Sequence, residues 1–263
     1  MKYVNKLHNS RILIIGGTSG IGFAVAEACL EFGASITISS STPLRLTSAL
    51  SSLKTSYPSA ADRVWGVQVD LSNIDTVETE IEKLFKETVS VYENGAGKLD
   101  HVIFTAGDAL SLIPLSKISM PAILRAGQLR FFAPLLVAKF LSTYLVHSPN
   151  SSYTITSGSI SERPTPDWSV VGSFAGGHHS MVRNLALDLK PIRVNGVSPG
   201  VVDTELWRMS EEEKKAFLQG LADKLPVGRP GRVEDVAESY LAVLRDGNMD
   251  ATVVRTDGGA LIF

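Results

Sequence analysis

The sequence predicts one doubly wound α/β domain: a parallel sheet with helices on both faces, spanning residues 1–263. Three observations predict it. Short apolar, β-branched runs alternate with longer segments of helical period. A glycine-rich turn joins the first such run to the first helical segment, and no Pro/Gly/Ser linker or change of composition divides the chain. Alternation of this kind builds βαβ units, whose crossover helices cover both faces of the sheet.

The elements follow in order. Arg11 to Ile15 (RILII) and Ser35 to Ser39 (SITIS) read as buried strands, and Val64 to Val69 and His101 to Phe104 read the same way. Tyr153 to Thr156, Ile192 to Val197 and Thr252 to Arg255 complete the set. Between the first two strands, Ile21, Val25, Ala28 and Phe32 recur at helical spacing, and Gly33 stands where a left-handed glycine would stop the helix. After the third strand, Ser72 is the expected cap of a helix whose inner face is Ile74, Val77, Ile81 and Leu84. Arg208 to Lys224 is polar and charged, which suits a helix-bearing excursion from the main body at about 203–228.

Composition narrows the function. With 44% hydrophobic and 20% charged residues, the chain reads as an ordinary globular protein rather than a disordered or fibrous one. Twenty-five basic residues against twenty-seven acidic ones give a net charge of −2, too balanced for nucleic-acid binding. One cysteine, Cys29, excludes an internal disulfide framework, and no CxxC or HExxH pattern suggests a metal centre. Phe131 to Val146 is the most apolar stretch, but Pro134 and Lys139 interrupt it and it is too short for a membrane span. The N-terminal apolar run is too short for a signal peptide and leads straight into the glycine turn. A cytoplasmic protein acting on a small molecule, away from membranes, is expected.

Gly16, Gly20 and Gly22 form a GxxxGxG pattern within Ile15-Gly16-Gly17-Thr18-Ser19-Gly20-Ile21-Gly22. Gly16 permits a tight turn, Gly20 lets the backbone approach a pyrophosphate, and Gly22 permits close helix–sheet packing. The helix N-terminus then faces the anion. Such a turn also arises for packing alone; its place after a strand and before an amphipathic helix points to a dinucleotide in a Rossmann-type fold. In NAD binders an acidic residue near the end of strand two accepts hydrogen bonds from the ribose. Here that strand runs into Ser39-Ser40-Ser41-Thr42, with Arg45 close by and no carboxylate. Hydroxyls and an arginine suit a 2′-phosphate, so NADP(H) is expected, with a capping serine cluster as the alternative.

On these motifs the sequence resembles the short-chain dehydrogenase/reductases over essentially its whole length. GGTSGIG resembles the family's cofactor loop, which implicates Gly16, Thr18, Ser19, Gly20, Ile21 and Gly22. Asp70-Leu71 is similar to its adenine contact, and Thr105-Ala106-Gly107 to its NNAG motif. Ile192-Arg193-Val194-Asn195 and Ser198-Pro199-Gly200-Val201-Val202-Asp203-Thr204 resemble the RVN…PGxxxT segment, and Asp257-Gly258-Gly259 the C-terminal DGG. The resemblance implies cofactor contacts at Ala106, Gly107, Pro199, Gly200, Val202 and Thr204, beside Ser40, Ser41 and Arg45, whose hydroxyls and guanidinium suit the 2′-phosphate. It also implies a homo-oligomer, dimer or tetramer, packed through the helix that carries Gly172, Ser173, Ala175, Gly176 and Gly177.

The catalytic motif departs from the family. Typical members carry YxxxK, a Ser thirteen residues before the Tyr, and an Asn on the preceding long helix. Here the Tyr and Lys positions fall on Val171 and Ala175, the Ser position on or beside Gly158 (flanked by Ser157 and Ser159), and the Asn position on Arg130. No Tyr occurs between Tyr153 and Tyr240, so no shift of register restores the motif. Without that acid, a ketone's alkoxide product loses its main proton donor. An iminium ion differs, because hydride addition to its carbon gives a neutral amine directly.

Asp167, in Pro164-Thr165-Pro166-Asp167-Trp168-Ser169, is the carboxylate nearest the lost Tyr and the candidate counter-ion. A helix cap or a solvated loop charge is the alternative. Arg130 is the candidate orienting cation, for Asp167 or for a substrate carbonyl, unless it is an ordinary surface arginine. Trp168 and Trp207 are expected to line the substrate pocket. His178 and His179 are adjacent on a helix, diverge by more than a quarter-turn, and suit structural roles better than a metal clamp.

The segment from Pro164 to Trp207 is similar to a fungal branch of short-chain reductases without YxxxK. That branch includes the bifunctional reductase/Diels–Alderases of premalbrancheamide- and paraherquamide-type indole alkaloid biosynthesis. The resemblance implies NADPH-dependent reduction of a cationic imine, with an intramolecular [4+2] cycloaddition as a further activity. A catalytically inactive NADP(H)-binding regulatory protein and a carbonyl reductase with a substitute acid are the rival readings.

Overall fold

The structure is a computed structural model that describes residues 3–92, 97–207 and 209–262. Among the described residues, seven parallel strands form one sheet in the order β3-β2-β1-β4-β5-β6-β7. They are β1 (Arg11–Ile15), β2 (Ser35–Ser40), β3 (Val64–Gln68), β4 (His101–Phe104), β5 (Ser152–Thr156), β6 (Arg193–Pro199) and β7 (Val253–Thr256). All the predicted strands form; the inner ones are largely buried and rich in apolar and β-branched residues, while β3 and β7 at the two edges of the sheet are partly exposed.

Alternate residues of β1 divide between two cores. Leu13 and Ile15 join Phe85, Leu141 and Tyr153 on one face, and Ile12 and Ile14 join Val25, Leu30 and Tyr240 on the other. The first core lies under α3 (Val77–Ser90), α5 (Ala133–Tyr144) and α6 (Ser169–Asp188), and the second under α1 (Gly20–Glu31) and α8 (Val233–Arg245). The remaining α-helices among the described residues are α2 (Pro43–Ser56), α4 (Met120–Gly127) and α7 (Glu211–Ala222). Strand order reverses at β1, flanked by β2 and β4, and in open α/β sheets such a switch point is where the crevice for a ligand lies, outside the carboxyl ends of the strands.

Helix α1 ends as expected, with Gly33 at φ +83°. Its most buried residues are Val25, Ala26, Cys29 and Leu30, while Ile21, Ala28 and Phe32 flank them half-buried. Burial pushes the Cys29 thiol up to about 12, so it is packing material and not a nucleophile. Helix α3 corrects the sequence reading. It begins at Val77 with Thr76 as its cap, and Ile74 is exposed. The reason is local: Asp70 Oδ1 accepts the Ser72 amide at 2.9 Å and Asn73 Oδ1 the Asp75 amide at 2.9 Å. These side chain–backbone turns take the place of a first helical turn.

Most of the apolar stretch from Phe131 to Val146 becomes α5, packed on the first core through Val137 and Leu141, while Phe131 and Phe132 end the turn before it. Among the described residues, no helix is long and apolar enough to cross a membrane. Between β6 and α8 the chain leaves the sheet and carries α7, whose residues are none of them buried. Ser210 Oγ accepts the Glu213 amide at 3.3 Å and Glu213 Oε2 accepts the Ser210 amide at 2.9 Å, a reciprocal cap that starts the helix in solvent. Arg208, which opens the charged stretch, lies outside the described residues.

Candidate active site

Gly16 sits at φ +88° and Gly20 at φ +51°, conformations that side-chain-bearing residues rarely adopt. A Cβ at Gly16 would lie 2.6 Å from the Ala106 backbone, and one at Gly22 only 2.4 Å from Gly16 O and Thr105 Oγ1. Thr105 Oγ1 donates to Ile15 O at 3.0 Å and to Gly16 O at 3.2 Å. The loops after β1 and β4 are therefore held against each other with no room for a methyl group. Thr18 and Ile21 are half-buried, Ser19 is exposed, and Ser19 caps α1 without using its side chain. The first-turn amides of α1 thus face the crevice with no side-chain acceptor from their own cap.

The chain after β6 closes the far side. A Cβ on Gly20 would meet Thr204 Cγ2 at 3.2 Å, and one on Gly200 would meet the Asp257 backbone at 2.9 Å. Pro199 ends β6, and Val202 is buried and bridges Gly231. At the other end of the crevice, Ser40 Oγ accepts the Thr42 amide at 3.3 Å, while Ser41 and Arg45 are exposed beside the first turn of α2. Asp70 is exposed, Leu71 is in the core, and Leu71 O accepts Gln128 Nε2 at 3.2 Å. A cradle of glycines, an uncapped helix start and a carboxylate-free strand end together fit a dinucleotide phosphate chain with an extra phosphate on its ribose.

Arg130 stands in a five-residue π-helical turn, Gln128–Phe132, between α4 and α5. Its Nε donates to Asp108 Oδ1 at 2.9 Å and its Nη2 to the Asp108 carbonyl. A Cβ on Gly107 would lie 3.1 Å from both Nη atoms, so the guanidinium rests flat on the loop after β4. Arg130 is no ordinary surface arginine. Asp167 does not pair with it, which corrects the expectation that the two orient each other: the nearer loop supplies its own carboxylate, Asp108. The position directly after Thr105-Ala106-Gly107 was the signal for that residue, but a lone loop Asp has no periodicity to mark it.

His178 holds the other end of Arg130. Its Nε2–H donates to Arg130 O at 2.8 Å, its ring stacks on Phe131 with centroids 5.6 Å apart, and its Nδ1 is buried without a partner. Burial pulls its pKa down to about 4 against the opposing hydrogen bond to the Arg130 carbonyl, with smaller lowering contributions from the charges of His179 and Arg130, so it is neutral around pH 7. His179 Nε2 meets Ser161 Oγ at 3.0 Å. Among the described residues, no group of side chains suits a metal ion.

Val171 and Ala175 lie one turn apart on α6, both buried. Ser157 Oγ donates to Ala175 O at 3.0 Å, so it reaches α6, while Ser159 opens a short 3₁₀ turn. Gly176 faces open space and Gly177 packs on the Phe131 ring. Asp167 takes φ +66°, and its carbonyl accepts the Ile113 amide at 3.1 Å, which ties its loop to the segment after Asp108. Its carboxylate is exposed. The α6 cap position belongs to Trp168, not to Asp167. Trp207 Nε1 donates to Val202 O at 2.8 Å and its ring packs on Phe217 of α7, 5.2 Å between centroids.

A family model described as an SDR-like Rossmann domain matches residues 3–263. Among curated proteins, the chain is similar to "Short-chain dehydrogenase/reductase fsr5" of Gibberella fujikuroi, 43% identical over 99% of this chain and 98% of that one. It is 41% identical to "Short-chain dehydrogenase/reductase malC" of Malbranchea aurantiaca over 97% and 96% of the two chains. Among solved structures, the MalC reductase/Diels–Alderase from Malbranchea aurantiaca superposes with a TM-score of 0.92 at 39% identity, covering 99% of this chain and 100% of that one. A small-chain dehydrogenase in complex with NADPH superposes with a TM-score of 0.77 at 26% identity, covering 97% and 100%.

Proposed function

The chain belongs to the short-chain dehydrogenase/reductase family of oxidoreductases, and from that premise we propose that it reduces a cationic imine or iminium intermediate of alkaloid biosynthesis with NADPH. One observation carries the reading. Where the family's tyrosine and lysine are expected, α6 presents the buried, apolar Val171 and Ala175.

The residues of the crevice fit NADP(H). Gly16, Thr18, Ser19, Gly20, Ile21 and Gly22 would hold the pyrophosphate, and Ser40, Ser41 and Arg45 the 2′-phosphate. Asp70 and Leu71 would border the adenine, and Ala106, Gly107, Pro199, Gly200, Val202 and Thr204 the nicotinamide end. NADPH supplies the hydride. The chain's own residues then need only bind and orient an acceptor that already carries its positive charge. Electrons balance without a proton: the hydride pair forms the new C–H bond while the C=N π pair returns to nitrogen. Asp167 is the counter-ion, Arg130 orients a neighbouring carbonyl, and Trp168 and Trp207 line the apolar side of the pocket.

The likeness to MalC brings a second step into the proposal, an intramolecular [4+2] cycloaddition in the same pocket, which shape complementarity alone promotes. The reading further places the enzyme in the cytoplasm as a homo-oligomer, with residues 203–228 as its substrate loop.

The test is NADPH oxidation with a panel of cyclic iminium ions and ketones. Asp167→Ala and Arg130→Ala are each expected to slow iminium turnover on the order of 100-fold, the usual effect of removing a positioned electrostatic group, with NADPH affinity unchanged. Full turnover in both variants contradicts the assignment. Absence of any oxidation across the panel leaves a cofactor-holding regulator, and robust ketone reduction lost with Asp167→Ala leaves a carbonyl reductase.

A further inference from the structure

Arg130 poses an electrostatic problem for a site that accepts cations. Its guanidinium is only partly exposed and fixed against Gly107, so it would repel a positively charged substrate brought to the same loop. The structure also supplies the answer, in a residue that the sequence reading did not single out. Asp108 takes two of the five guanidinium N–H groups, through its carboxylate and its carbonyl, and leaves three for other acceptors.

We infer that Asp108 is the specificity-determining residue of the pocket: by cancelling the charge of Arg130 it lets the site take a cation, while Arg130 keeps its free N–H groups for a neutral acceptor such as an amide carbonyl. The charge count is simple. Arg130 contributes +1, Asp108 −1 and Asp167 −1, so the pocket carries a net −1 and favours one positive charge. Without Asp108 the sum is zero and that preference disappears. The placement supports the count, because the Asp167 loop is tied to the Asp108 loop by the hydrogen bond from Ile113 N to Asp167 O at 3.1 Å. His178 completes the arrangement from the backbone side, through its 2.8 Å bond to Arg130 O. The inference rests on the proposed role of Asp167 as counter-ion, but not on turnover, so binding alone tests it.

The probes are 2,2-dimethyl-tetrahydro-β-carbolinium, a permanent cation, and its uncharged carbon counterpart 2,2-dimethyl-tetrahydrocarbazole. Each is titrated into the full-length protein loaded with NADP⁺, by calorimetry. Asp108→Asn is expected to weaken the cation about tenfold, the scale of one partly screened unit charge, and to leave the neutral probe within about twofold. Asp108→Glu keeps the preference. Arg130→Met tightens the cation beyond the wild type, and the double variant Asp108→Asn with Arg130→Met returns it to within about threefold of the wild type, again by charge count.

Equal weakening of both probes by Asp108→Asn would make Asp108 a purely structural support and overturn the inference, as would an unchanged cation affinity in either single variant. Should Asp108→Asn fail to fold, the Arg130→Met arm decides by the sign of its effect. A wild type that binds the cation selectively but oxidises no NADPH leaves this inference standing and removes the reductase reading.

Discussion

Gly22→Ala is expected to weaken NADPH binding by about 10–100-fold, although it adds one methyl group to a helix. The new Cβ would lie 2.4 Å from Gly16 O and from Thr105 Oγ1. Thr105 can rotate, but Gly16 O belongs to a backbone already pinned by the Ala106 backbone on its other side. The only relief is to push the loop after β1 away from α1, which opens the anion cradle. Overpacking of this kind costs about 1–3 kcal/mol, the same range as the predicted loss of affinity. Gly220→Ala is the matched control: a Cβ there meets nothing within 4 Å, the residue lies on the exposed α7 and not on the helix proposed to pack between subunits, and a glycine-to-alanine change inside a helix stabilises by about 0.5–1 kcal/mol. Titration of NADPH fluorescence checks both. Unchanged affinity in Gly22→Ala would mean that the loop and helix are not locked as described.

Arg193→Met is expected to destabilise the protein by about 4 kcal/mol or more, a large share of the stability of an ordinary domain. Arg193 is buried on β6, and its guanidinium donates to four carbonyls. Val243 O and Leu244 O belong to the last turn of α8, and Pro149 O and Met249 O to neighbouring loops. Burial pulls its pKa down from the ordinary arginine value, with Asp250 and Asp246 opposing. Methionine fills the volume but satisfies none of these acceptors, and buried unpaired carbonyls are costly. Urea denaturation measures the effect. A midpoint equivalent to a change within about 0.5 kcal/mol would show that water replaces the guanidinium without cost.

Arg193 and Asn195 also show how the parts of one motif differ in role. The RVN…PG segment resembles a single family motif, whose implied cofactor contacts begin at Pro199. In the structure Arg193 and Asn195 tie β6 to the 246–252 loop, Asn195 Nδ2 donating to Met249 O at 2.7 Å. Only the part from Pro199 onward reaches the carboxyl edge of the sheet, beside Gly20 and Asp257.

The strands were legible because short runs rich in β-branched and apolar residues recur between helical segments, even where the edge strands β3 and β7 are only partly buried. The glycine turn was legible because positive φ and close approach both demand the same residue. The start of α3 was not, because Asp70 and Asn73 make turns that compete with a helix through single hydrogen bonds, and no periodicity announces them. The catalytic side was half legible. The absence of Tyr and Lys is a local fact of residues 171 and 175, whereas the partner of Arg130 depends on a 22-residue separation and on a π-helical turn. Nothing in the composition of residues 128–132 marks such a turn in advance.

The central claim is that the acceptor arrives already charged, so hydride transfer requires no proton from the protein. The most direct measurement is single-turnover reduction of an N-alkylated cyclic iminium ion by the NADPH-loaded enzyme, followed from pH 6 to 9 in H₂O and in D₂O. Because the N-alkyl group prevents loss of charge and the product is a neutral tertiary amine, the rate of the chemical step is predicted to be flat across this range. The solvent isotope effect is predicted to be close to unity. A rate that falls about tenfold per pH unit together with a solvent isotope effect of about 2 or more, the signature of a general acid in the rate-determining step, would contradict the account.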